Sequence, residues 1–205
     1  MLKFLILFPI LAISAVAFAS GDLATELVDV KARDFSILMD IRYATPKNFT
    51  GRTLYPEAKC FLRKPVADAL SRVQAALAIE GYGIKVFDCY RPLSVQKKMW
   101  EQVHDERYVA DPAKGPRHCR GAAVDVTLVE RTGEPVEMPS DYDDFSPKSS
   151  RAYQGASRTA IQDRARLEAA MKREGFVPFP SEWWHFDYKN WELYPVLDIP
   201  FAQLK

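Results

Sequence analysis

From Lys64 to Glu80, Val66, Leu70, Val73, Leu77 and Ile79 recur at helical spacing. That stripe predicts a helix with one buried face. Pro65 suits its first turn and Gly81 its end. A second helix is expected from Pro92 to about His104, with Val95, Met99, Trp100 and Val103 on one side. A third runs from Arg158 to Glu174, turning Ile161, Leu167, Ala170 and Met171 inward and its Arg and Glu residues outward, and Gly175 ends it. Between the helices the period changes. Gly83–Asp88 is apolar without clean alternation, as expected of a strand covered on both faces. In Ala122–Glu130, Val124, Val126 and Leu128 share one face while Asp125 and Thr127 share the other.

The remaining segments read as connections. Asp22–Phe35 is a lead-in with weak structure, Ser36–Tyr43 is extended, and Ala44–Tyr55 is a loop carrying Pro46, Asn48 and Gly51. Asp105–Gly115 is a loop. After a turn at Arg131–Glu134, Pro135–Met138 is expected to return as a short edge strand. Ser140–Ser157 is polar, acidic at first and without periodicity; structureless loops of that length are usually functional or disordered. The tail from Trp191 to Lys205 is expected to pack back through Trp191, Leu193, Tyr194 and Val196. The expected fold is α+β: a single compact domain, residues 20–205, with a central, mainly antiparallel sheet flanked by helices.

The first residues stand apart from that domain. Lys3, the apolar run Phe4–Val16 and the small-x-small Ala17-Phe18-Ala19 form the pattern of a secretory signal peptide over residues 1–19. The run is short for a membrane span, and no Cys follows it to carry a lipid. The expectation is cleavage near Ala19, export to the periplasm or medium, and no stable membrane anchor afterwards; an uncleaved anchor is the alternative. A net charge of +1 offers no electrostatic case for nucleic acid or an anionic membrane surface. Cys60, Cys89 and Cys119 allow one disulfide at most, which an oxidising compartment permits. Cys60–Cys89 is the preferred pair, although a sequence does not fix connectivity.

Candidate chemistry is concentrated in two stretches. His118 and Asp125 lie in Arg117-His118-Cys119-Arg120-Gly121-Ala122-Ala123-Val124-Asp125, and His185 follows Glu182 in Glu182-Trp183-Trp184-His185-Phe186. A carboxylate within an apolar strand is costly unless it is paired or metal-bound. A catalytic zinc site takes three protein ligands and leaves one position open. His118, Asp125 and His185 are suitable ligands for Zn2+, one ion per chain, and Glu182 remains as a general base. Strict alternation would put Glu182 and His185 on opposite faces, so either Glu182 lies in a turn before the strand, which Pro180 favours, or a bulge intervenes. Cys119 is expected to point away from the ion, and His104 to be a solvated helix-end residue.

These stretches resemble the zinc D-alanyl-D-alanine dipeptidases, a group related to the D,D-carboxypeptidases of the bacterial cell wall. Asp40-Ile41-Arg42-Tyr43-Ala44-Thr45, Asn48-Phe49-Thr50-Gly51 and Asp88-Cys89-Tyr90-Arg91-Pro92 match in the same order. The resemblance implies that Arg91 stabilises the oxyanion formed on the scissile carbonyl, with Asp88 orienting it. It implies substrate contacts for Tyr43, beside which a plain core role stands open. It implies that Asp143 holds a dipeptide's free ammonium, with Asp141 and Asp144 close enough to blur the assignment. The chain departs from the family at Pro116, where a Ser is common, and that leaves substrate preference open. The expected substrate is a small D-amino-acid dipeptide, D-Ala-D-Ala first. The alternatives are a D,D- or L,D-carboxypeptidase acting on longer wall peptides, and a non-catalytic zinc-stabilised module that binds them.

Overall fold

A computed structural model describes residues 26–204 of the chain; the expected signal peptide lies outside the described residues. In chain order the elements are β1 (Leu27–Asp29), α1 (Val30–Arg33), β2 (Leu38–Met39), β3 (Phe61–Arg63), α2 (Lys64–Ile79), β4 (Tyr82–Asp88), α3 (Leu93–Gln102), β5 (Ala123–Glu130), α4 (Arg158–Arg173), β6 (Phe176–Pro178) and β7 (His185–Tyr188). Five strands form one sheet in the order β2-β4-β5-β7-β6, and β1 and β3 form a separate pair. Within the large sheet only β2 and β4 run parallel; the other pairings are antiparallel. The expected α+β architecture with a mainly antiparallel sheet is therefore what the chain adopts.

The sheet is buried where its strands are most apolar. Ile84, Val86, Val124, Val126 and Leu128 are fully buried. Helices α2 and α4 pack against each other and cover β4, β5 and β6. Val66, Leu70, Val73 and Leu77 of α2 are buried as the stripe predicts, each stabilising the fold by about 1.5–3 kcal/mol. Asp29 caps α1, its carboxylate accepting from the Lys31 amide. Cys60 and Cys89 form a disulfide, joining the residue before β3 to the residue after β4. Cys119 is free and buried.

Several local expectations need correction. The lead-in is not weakly structured from Leu27 onward, because β1 pairs with β3 and opens into α1. Pro135–Met138 is not a strand; it contributes one isolated bridge, Val129 to Pro135, since proline has no N–H for a ladder. Ile79 is 86% exposed, because a residue two positions after Leu77 faces away from it on a helix. In α4 Arg164 is buried, not outward, and Asp163 is buried beside it. Arg164 donates to the Ser150 and Tyr153 carbonyls, which ties the long polar loop to the helix. In the tail Leu193 is exposed and Phe201 is buried instead, its ring against Tyr55, Phe61 and Tyr90.

Candidate metal centre

The ladder of the sheet brings three side chains into one row. Asp88 on β4 is the register partner of Asp125 on β5, after a bulge between Val86 and Asp88. Asp125 is in turn the partner of His185 on β7. His118 joins the row from a 3-10 turn, His118–Arg120, just before β5. Gly121 closes that turn at φ 66°, where a Cβ would lie 2.5 Å from the Leu27 side chain, so only glycine fits there.

His118, Asp125 and His185 are all buried, and one ligand atom from each faces the others. Asp125 Oδ1 lies 3.0 Å from His185 Nδ1 and 3.4 Å from His118 Nε2, and the two ring nitrogens are 3.1 Å apart. Ligands about 2.0–2.2 Å from a shared tetrahedral ion stand about 3.3 Å from one another. Each of the three is also fixed from behind. His118 Nδ1 donates to the Cys89 carbonyl at 2.7 Å, His185 Nε2 donates to Asp187 Oδ1 at 2.9 Å, and Asp125 Oδ2 accepts from the Tyr142 hydroxyl at 2.9 Å. Such outer partners set the tautomer and orientation of metal ligands. The Asp125 carboxyl would be raised by burial, but His118 and His185 outweigh that and hold it far below the usual carboxylate range. The set asks for a cation at its centre, and these donors fit a divalent metal.

Glu182 lies in the turn between β6 and β7, not on the strand, so it reaches the same side as His185. Its Oε2 is 3.9 Å from His185 Nδ1, and its side chain is 21% exposed. Burial raises the Glu182 carboxyl above its ordinary value, with the Asp125 charge adding to that and the histidines opposing it. A carboxylate shifted in that direction is a stronger base than an ordinary one and suits proton transfer. The turn is held by groups that the sequence reading did not single out. Arg151 donates to the Phe179 and His185 carbonyls, and the Trp183 amide donates to the Ser149 carbonyl.

A cavity of about 550 Å³ opens over the cluster, lined among others by Tyr43, Arg91, Asp143 and Glu182. Arg91 is anchored as expected: Nε and Nη2 donate to Asp88 Oδ2, and Nη1 donates to Gln96 at 2.7 Å. Asp88 is fully buried and also accepts from the Tyr55 hydroxyl and the Cys89 amide. Tyr43 is buried; its ring lies 5.1 Å from the Arg91 guanidinium, and its hydroxyl donates to Asp143 at 3.0 Å. Asp143 lines this cavity, whereas Asp141 and Asp144 line a different one. It does so at φ 58°, a left-handed conformation costing about 1 kcal/mol. Burial, then Asp125, raise the Asp143 carboxyl well above the carboxylate range. Phe49 from the Ala44–Tyr55 loop joins the wall, while Cys119 and His104 do not.

Tyr142, Gln96 and Arg151 are the site residues missed in the sequence. Tyr142 sits in an aperiodic acidic loop, where no local pattern separates a buried tyrosine from an exposed one.

Comparison with known proteins adds a family match. The family model described as D-ala-D-ala dipeptidase, Peptidase M15, matches residues 23–201. A D-alanyl-D-alanine dipeptidase of Escherichia coli K12 is 33% identical over 178 residues, covering 87% of this chain and 92% of the relative. One from Enterococcus faecium is 31% identical over 187 residues, covering 78% and 91%. Among solved structures, the LdcB LD-carboxypeptidase covers 71% of this chain and 70% of its own at 21% identity, with a TM-score of 0.45.

Proposed function

Since the chain belongs to the D-Ala-D-Ala dipeptidase family of Peptidase M15, we infer that it is a metallopeptidase that hydrolyses the D-Ala-D-Ala dipeptide with one zinc ion. The observation that carries this reading is the convergence of His118 Nε2, Asp125 Oδ1 and His185 Nδ1 on one point beside Glu182. Two imidazoles and one carboxylate with a position left over are the donors of a catalytic rather than a closed structural zinc site. When bound, zinc supplies a Lewis acid that acidifies water and polarises the scissile carbonyl.

The chain's own groups do the rest. Glu182, with its raised carboxyl, accepts a proton from the attacking water at Oε2 and returns it to the leaving amine. Arg91 presents a fixed positive charge at the cavity wall, where the carbonyl oxygen gains negative charge. Its ion pair with Asp88 keeps the guanidinium in place before substrate arrives. Asp143 favours a cationic partner, because a buried carboxyl next to Asp125 ionises readily only when positive charge is brought to it. A dipeptide's free ammonium is such a partner, and the Tyr43 hydroxyl holds the carboxyl towards it.

Export completes the reading. The apolar leader and the Cys60–Cys89 bridge support a periplasmic or secreted enzyme acting on dipeptide released from cell wall. The test is a zinc-loaded assay of D-Ala-D-Ala against its N-acetylated form and against L-Ala-L-Ala. Hydrolysis of the free D,D-dipeptide alone is expected. Equal cleavage of the N-acetylated form would make the protein a carboxypeptidase, and cleavage of neither would reduce it to a binding module.

A further inference from the structure

We propose that Arg117 is the specificity-determining residue for the substrate's C-terminal carboxylate, which its guanidinium fork receives; this rests on the dipeptidase reading above. Among the described residues, four Arg and Lys side chains line the cavity: Arg91, Arg107, Lys114 and Arg117. Three are committed to protein partners. Arg91 is bound by Asp88 and Gln96, Lys114 holds both oxygens of Glu106, and Arg107 is paired with Asp105. Arg117 differs. Its Nε lies 2.9 Å from Asp187 Oδ2 as an ion pair without hydrogen-bond alignment, and among the described residues neither of its terminal nitrogens donates a hydrogen bond.

The fork is nonetheless held in place. Its Cζ lies 4.9 Å from the Phe179 ring centroid and 4.9 Å from that of Trp191, so the guanidinium rests against two aromatic rings. A guanidinium held against two rings and ion-paired at Nε loses little freedom when it binds, and its two terminal nitrogens match a carboxylate's two oxygens. The side chain is 35% exposed, so a ligand in the cavity can reach it. Pro116, next in the wall, offers neither hydroxyl nor N–H and cannot compete for the same anion.

The placement suits a dipeptide. Asp143 and Tyr43 lie on the Arg91 side of the cluster. Arg117 is linked to His185 through Asp187, whose other oxygen accepts from His185 Nε2. Asp143 and Arg117 line the same cavity as the metal ligands, so a ligand carrying both an ammonium and a carboxylate has a charged partner for each.

Carboxylate recognition is read by binding, apart from turnover. In a zinc-loaded Glu182→Gln background, calorimetry compares D-Ala-D-Ala with D-alanyl-D-alaninamide, whose C-terminus is uncharged. The acid should bind about 10- to 100-fold more tightly than the amide, as charge-assisted pairs allow. Adding Arg117→Gln should bring that ratio close to one, and Arg117→Lys should keep part of it. In the active enzyme Arg117→Gln should raise KM for the acid far more than it lowers kcat. The inference is overturned if Arg117→Gln leaves the ratio unchanged, if it weakens acid and amide by one common factor, or if neither ligand binds. Should Arg117→Gln not fold, a wild-type ratio near one overturns it equally. A protein that hydrolyses no D,D-dipeptide, yet loses acid preference on Arg117→Gln, would keep this inference and lose the dipeptidase reading. One that hydrolyses D-Ala-D-Ala with no acid preference would do the reverse.

Discussion

The Tyr142 hydroxyl donates to Asp125 Oδ2 at 2.9 Å while the other oxygen of that carboxylate faces the two histidines. The bond fixes which oxygen is offered to a metal. Tyr142→Phe removes it and keeps the ring, which stacks 4.6 Å from Phe87. Zinc affinity is expected to fall about 10- to 100-fold with little change in melting temperature. Competition against a chelator measures it, and unchanged affinity would discard the role given to Tyr142.

Glu182 and His118 should separate chemistry from metal retention. Glu182→Gln keeps the three ligands, so zinc content should stay near one per chain while kcat drops by about 10²–10⁴. His118→Ala removes a ligand and should lose both metal and turnover. Metal analysis alongside kinetics decides the matter; near wild-type hydrolysis by Glu182→Gln would remove the base from the mechanism.

Proton and metal compete for His185. Burial lowers its pKa, but the carboxylates of Asp125 and Asp187 outweigh that and push it up to about 10 in the metal-free chain. The raised value stabilises the metal-free fold fully below the unfolded pKa of about 6.5, and that stability is lost as pH climbs towards about 10. Metal binding has the opposite sign, because Nδ1 must shed its proton first. Apparent zinc affinity should therefore rise about tenfold per pH unit between about pH 6 and 9, and the melting temperature of the metal-free chain should fall over the same interval. A zinc affinity independent of pH would contradict this.

The Cys60–Cys89 bridge spans 29 residues of sequence. Opening it should destabilise the fold by about 3–4 kcal/mol, which lowers the melting temperature by roughly 7–15 °C. Because the Cys89 carbonyl accepts from His118 Nδ1, metal affinity should weaken as well. Melting the protein with and without reductant tests the first effect, and zinc titration of a Cys60→Ala, Cys89→Ala double variant tests the second. Identical melting curves would remove the stabilising role.

Much of this site was legible because it breaks local rules. Asp125 interrupts an apolar strand, and two of three histidines lie in the same two unusual stretches. The helices were legible because periodicity is a property of neighbours in sequence. Asp143 was legible only through resemblance, and its separation from Asp141 and Asp144 needed the backbone inversion at φ 58°. Tyr142, Gln96 and Arg151 were not legible, since their roles depend on partners far along the chain. Leu193 shows the same limit in reverse, since apolar identity told nothing of where its turn would aim it, whereas the exposure of Ile79 follows from its place two residues after Leu77.

Asp88, Asp125 and His185 sit opposite one another on three neighbouring strands. Sliding the middle strand by a single residue would swing Asp125 to the helix-covered side and offer Val124 or Val126 to the histidines. A misaligned chain could then keep most of its backbone ladder and still be unable to hold an ion. Holding an ion therefore demands the native register of three strands as well as the right ligands.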